Sequence, residues 1–166
     1  MDTESLRIYY KPKAIKLLFI GESPPASGKF FYERSLMTTY TSRAFESAFK
    51  TSFVNTKAFL DFFKTKGCYL EDLTVTPVNR MPKTDREKTL ELGVKSLSKK
   101  LIEYQPMAIL IVLKRIERYV INAIKMDGLS CPIHTLPFPG NSYQNKFKQE
   151  LITILEKYYG DEIYLD

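Results

Sequence analysis

An apolar run, Leu17 to Ile20, stops at Gly21 and gives way to a loop dense in Ser, Pro and Gly that closes on three aromatics, Phe30 to Tyr32. No other feature of the chain restricts its fold more. A short apolar segment without polar alternation predicts a strand buried on both faces, and a rigid loop at its carboxyl end is where open α/β sheets hold their ligands. A second unbroken run, Met107 to Leu113, predicts a central strand covered on both sides.

Helical patterns separate the strands. Thr41, Phe45, Ala48 and Phe49 share a face within Thr38 to Lys50, and Asn55 is a suitable cap for a stretch whose stripe is Phe59, Phe62 and Phe63, closed by Gly67. Cys68 to Val75 predicts the next strand, ended by Pro77. Thr84 and Glu87 form a capping-box pattern ahead of Leu90, Val94, Leu97 and Leu101, so an amphipathic helix should run to about Tyr104. A helix through Ile116, Val120 and Ile124, a short strand around Cys131 to Thr135, and a closing helix through Phe147, Leu151, Ile154, Leu155 and Tyr158 complete the pattern. Residues 1–14 show no clear period and form a lead-in with no assigned element.

Strands that alternate with helices predict a three-layer α/β/α sandwich around a central, mainly parallel four-stranded sheet, as one domain over residues 1–166. The loops after Ile20, Val75, Leu113 and Thr135 should then gather at one edge of the sheet. The loop from Gly21 and the Pro- and Gly-rich loop LPFPGNSYQN from Leu136 have the most distinctive chemistry there.

Composition narrows the function classes. A hydrophobic content of 44%, with 11 Tyr and 11 Phe, argues for a packed core. No apolar run approaches the length of a membrane span and no secretory leader is read, so a cytoplasmic protein without membrane association is expected. Cys68 and Cys131 are far apart and outside metal-ligand spacing, and His134 is the sole histidine, so neither a metal nor another cofactor is expected. The net charge of +6 suits a polyanionic partner.

Two familiar motifs fail in the first loop. In GESPPASGKF, Ser23 stands where a phosphate loop needs glycine, and Phe30 rather than Ser or Thr follows Lys29. GESPP also begins like a nucleophile elbow, but Pro25 replaces the closing glycine and its ring would block the sharp turn.

Taken in order, Gly21-Glu22-Ser23-Pro24-Pro25, GKFFY, YLEDLTVTPVNRMPKTDRE and LPFPGNSYQN form a set that resembles the uracil-DNA glycosylase superfamily. Gly21-Glu22-Ser23-Pro24-Pro25 is similar to that family's first motif, a strand ending in Gly and then a polar or acidic pair and Pro. GKFFY and YLEDLTVTPVNRMPKTDRE are similar to segments of its thermostable branch, without that branch's iron–sulfur cysteines. LPFPGNSYQN is similar to the late His-Pro-Ser loop. The resemblance runs from about Lys16 to Tyr158.

That resemblance implies an enzyme that flips a damaged base out of single- or double-stranded DNA, stacks it on an aromatic and hydrolyses its N-glycosidic bond. It assigns stacking to Phe31, base reading to Asp72, and the water or the sugar's positive charge to Glu22. Gly21, Ser23, Phe138, Gly140 and Asn141 would shape the base slot, while Lys29, Arg80, Lys83 and Lys146 would meet phosphates. His134 is a further catalytic candidate, because Phe138 occupies the late motif's His position. Ser23 replaces the water-orienting Asp or Asn of many members, and Asp72 replaces a base-reading Asn. A monomer is expected. Two other readings stay open: a non-catalytic nucleic-acid or nucleotide binder of the same fold, and a small-molecule-binding α/β protein unrelated to DNA.

Overall fold

The computed structural model describes residues 1–165. Its sheet has four strands, β1 (Leu17–Gly21), β2 (Cys68–Asp72), β3 (Ala108–Ile111) and β4 (Ile133–Thr135). All pairings are parallel and the spatial order is β2-β1-β3-β4. The helices are α1 (Thr3–Tyr9), α2 (Leu36–Phe49), α3 (Thr56–Thr65), α4 (Lys83–Tyr104), α5 (Glu117–Asp127) and α6 (Gln144–Ile163), with a 3-10 turn at Lys114–Ile116 ahead of α5. The α2, α3 and α6 layer lies on one face, and α4 packs with α5 on the other. The predicted three-layer sandwich is the observed architecture.

The two apolar runs are strands because nothing else could hide them. Leu17 to Ile20 and Ala108 to Ile111 are almost wholly buried between the helical layers. The second expected strand is shorter than its pattern suggested: it ends at Asp72, and all five residues are buried with no alternation. It lies at the sheet edge, but α1, α3 and α4 cover it, so polarity follows neither face. The last strand begins at Ile133 rather than Cys131.

Caps explain the helix boundaries. Ser35 and Thr38 make a reciprocal capping box, which starts α2 at Leu36, and Asn55 accepts from the Ala58 amide at 2.9 Å. The capping box expected at Thr84 is not formed. Pro82 takes the N-cap position without a side-chain bond, and α4 starts at Lys83, so Thr84 is already inside the first turn. The lead-in contains α1, capped by Asp2 and carrying the buried Arg7.

Chain direction creates the crevice. From β1 the chain crosses by α2 and α3 to β2, whereas from β3 it crosses by α5 to β4 on the other side and other face. The loops leaving adjacent strands β1 and β3 therefore diverge, opening a gap at their carboxyl ends.

Candidate functional site

A cleft of about 1120 Å³ occupies that gap. Gly21, Glu22 and Ser23 enter it from β1, Asp72 from β2, Lys114 and Arg115 from the turn after β3, and Phe138, Gly140 and Asn141 from the loop after β4. Phe30 and Phe31 form an aromatic wall. Ten of the expected site residues line it: the seven expected to stack, read or enclose a base, together with Glu22, Lys29 and Lys146. Arg80 and Lys83 are exposed and lie outside the lining. His134 is outside it too. It faces α6 from the edge strand, where its Nε2 and the Tyr158 hydroxyl are 2.9 Å apart, and burial together with Lys157 lowers its pKa.

The first loop is braced onto the loop after β2. The Val78 amide donates to Ser23 Oγ at 3.2 Å, and the Ala26 amide donates to Asn79 Oδ1 at 3.0 Å. Ser23 is thus a fastener for the loop. Phe31 packs edge-on to Tyr32 and against Phe63 of α3, with ring centroids 5.1 Å and 5.4 Å away, so the aromatic wall is continuous with the core. Phe138 is different: 41% of its surface is open, beside the exposed Leu36 and Tyr143 at the cleft's mouth.

Two carboxylates meet the cleft in opposite electrostatic settings. Glu22 is clamped between two guanidinium groups. Arg86 Nη2 donates to its Oε1 at 2.5 Å and its Oε2 at 2.6 Å, Arg86 Nε adds a bond to Oε1 at 3.1 Å, and Arg115 Nη2 donates to Oε2 at 2.8 Å. Such paired guanidinium contacts hold a carboxylate in one orientation and occupy its lone pairs.

Asp72 is buried and has one oxygen engaged, Oδ2 accepting from Arg7 Nη2 at 2.9 Å. Burial pushes its pKa up to about 6, although Arg7 pulls the other way. Strand register sets Asp72 opposite Gly21. A Cβ at Gly21 would lie 2.7 Å from Asp72 Oδ1, so only glycine lets that oxygen approach the first loop.

Three arginines escaped the sequence reading, for different reasons. Arg7 lies in a segment without period, while Arg86 and Arg115 look like ordinary surface charge on a helix and a turn. The one available signal was Glu22, an acidic residue at the end of a buried strand that requires a cation nearby. Among the described residues no group of acidic, histidine or cysteine side chains is arranged to hold a metal ion, and no helix is long and apolar enough to cross a membrane. A scan of the chain against protein-family models gives no match, and a search of curated proteins gives none either.

Proposed function

We propose that the cleft receives one nucleobase extruded from DNA and that the protein hydrolyses the N-glycosidic bond of that damaged nucleotide. The observation that carries this reading is convergence: Glu22 and Phe31 from the loop after β1, Asp72 from the end of β2 and Phe138 from the loop after β4, three separate segments, line one cleft at the divergence of β1 and β3. An aromatic wall suits a flat ring. A buried carboxylate oxygen suits its N–H edge, and Lys29, Lys114, Arg115 and Lys146 around the opening suit phosphates.

In this reaction the bond from C1′ to the base nitrogen breaks and its electron pair leaves with the base, while water supplies the hydroxyl that replaces it at C1′ and its other proton ends on the base. Glu22, clamped by Arg86 and Arg115, would offset the positive charge that develops on the sugar. The proposal takes the chain as a monomer acting on DNA in the cytoplasm without a cofactor.

The doubly occupied Glu22 favours a second reading, in which the same cleft binds a base or nucleotide without cleaving it. Both are tested with single- and double-stranded oligonucleotides carrying uracil, hypoxanthine, xanthine or thymine mismatches, followed by alkali to reveal abasic sites. Cleavage that disappears in Glu22→Gln supports hydrolysis. Binding without cleavage supports the second reading, and neither at low salt rejects both.

A further inference from the structure

The short N-terminal helix reaches the cleft from behind through one side chain. Arg7 is 2% exposed, and its guanidinium touches several groups at once. Nη2 donates to Asp72 Oδ2 at 2.9 Å, Nη1 donates to the Leu70 carbonyl at 3.2 Å and lies 3.3 Å from Glu71 Oε1, and Nε donates to Glu4 Oε1 at 3.2 Å. The same group sits 5.0 Å from the centroid of the Phe30 ring. One planar fork therefore grips the buried carboxylate and backs an aromatic wall of the same cleft.

This grip divides the two oxygens of Asp72. Oδ2 is consumed behind the strand, whereas Oδ1 makes no hydrogen bond within the described residues and lies next to Gly21. We infer that Arg7 is the positioning residue that makes Asp72 a hydrogen-bond acceptor toward the cleft, so that the occupant is a ring with an N–H donor at that point. The inference about the occupant rests on reading the cleft as a nucleobase site; the inference about Arg7 does not.

The charges around Asp72 explain why the cation decides its polarity. Glu4 of α1 and Glu71 of β2 are acidic neighbours, and β1 contributes only Gly21. From α4, Lys100 at 3.2 Å and the Tyr104 hydroxyl at 2.9 Å address Glu71 rather than Asp72. Without Arg7, Asp72 would be a dry carboxyl beside two acids with no cation in contact. It would hold its proton and offer a donor instead of an acceptor.

The test reads polarity directly. Titrating the Asp72 side-chain carboxyl by carbon-13 NMR should give a midpoint that moves upward in Arg7→Met and returns toward the wild-type value in Arg7→Lys. In parallel, fluorescence anisotropy compares a single-stranded oligonucleotide carrying one uracil with its N3-methyluracil counterpart, which lacks the ring N–H. Wild-type protein should prefer the first by about tenfold, the order expected for a hydrogen bond to a charged group, and Arg7→Met should bring the two near parity.

An unmoved Asp72 midpoint, or a preference that survives in Arg7→Met, overturns the role of Arg7. If Arg7→Met does not fold, the wild-type protein still decides. Arg7 Nη–H resonances must shift with the same midpoint as the Asp72 carboxyl, and independent midpoints overturn the proposal. Wild-type protein that binds neither oligonucleotide while Arg7 and Asp72 titrate together overturns the nucleobase occupant and supports the hold of Arg7 on the Asp72 charge.

Discussion

The Tyr32 hydroxyl accepts from the Leu70 amide at 2.6 Å and donates to the Leu70 carbonyl at 3.0 Å, so a side chain completes the hydrogen bonding that an edge strand leaves open. β2 has β1 on one side only. Its other side would be a row of unpaired backbone groups able to recruit another strand. Tyr32, at the end of the aromatic loop, closes that edge while holding the loop against the sheet.

Tyr32→Phe should therefore act through one orphaned donor. The Leu70 carbonyl keeps its bond from Arg7, but the Leu70 amide loses its partner in a buried place. A loss of about 1–3 kcal/mol in unfolding free energy is expected. Urea titration checks it, with the slope unchanged.

Gly93→Ala should destabilise the protein against helix propensity, which favours alanine over glycine inside a helix. A Cβ on Gly93 would lie 2.3 Å from the Leu73 carbonyl oxygen, so α4 would have to move off the segment after β2. Overpacking of this kind costs about 1–3 kcal/mol or more. A thermal melt showing Gly93→Ala as stable as the parent would contradict this account of how α4 seats against the sheet.

The fold was legible because its strongest constraint is also its simplest. Leu17 to Ile20 and Met107 to Leu113 are apolar without interruption, and a parallel sheet between two helical layers is how a chain of this size hides such runs. The meeting of loops at one end of the sheet follows from strand direction, so the sequence pattern alone gathers Glu22, Phe31 and Asn141. Arg7 could not. Its burial depends on Glu71 and Asp72 more than sixty residues later, and an arginine in a short polar helix carries no local sign of such partners. β2 ends at Asp72 rather than Val75, and its limits were hidden for a related reason: helix cover on its open side removes the alternation that marks a solvated edge. Proline at position 82 made the helix start earlier than Thr84, whose capping pattern is a local signal that backbone geometry overrode.

The two arginines on Glu22 should separate stability from binding. Arg86 holds both carboxylate oxygens and is 22% exposed in its side chain, whereas Arg115 holds one and is 56% exposed. Arg86→Ala should cost about 1–3 kcal/mol in denaturant titrations, because a nearly buried carboxylate loses its bidentate partner. Arg115→Ala should change stability by less than about 1 kcal/mol. It should instead weaken binding to the oligonucleotides of the cleavage assay and reduce the slope of log affinity against log salt by about 1, the signature of one lost phosphate contact. Equal effects of both variants on stability and on the slope would refute this division.

Asp72 gives the protein a stability component that falls as pH rises. Its ordinary pKa is 3.8 and burial holds it near 6 in the folded chain, so between these values the folded state keeps a proton that the unfolded state has released. Stability from this group is full below about pH 4, declines as pH climbs toward 6, and is level above that. The size is roughly 2–3 kcal/mol. Other carboxylates contribute their own pH dependence, so the measurement is a difference: unfolding free energies of the parent and of Asp72→Asn from pH 4 to 8, in the same buffer series. The parent should lose ground relative to Asp72→Asn through pH 4 to 6 and run parallel to it from pH 7 to 8. A gap that widens in the opposite direction would mean that Arg7 outweighs burial and that Asp72 titrates below its ordinary value.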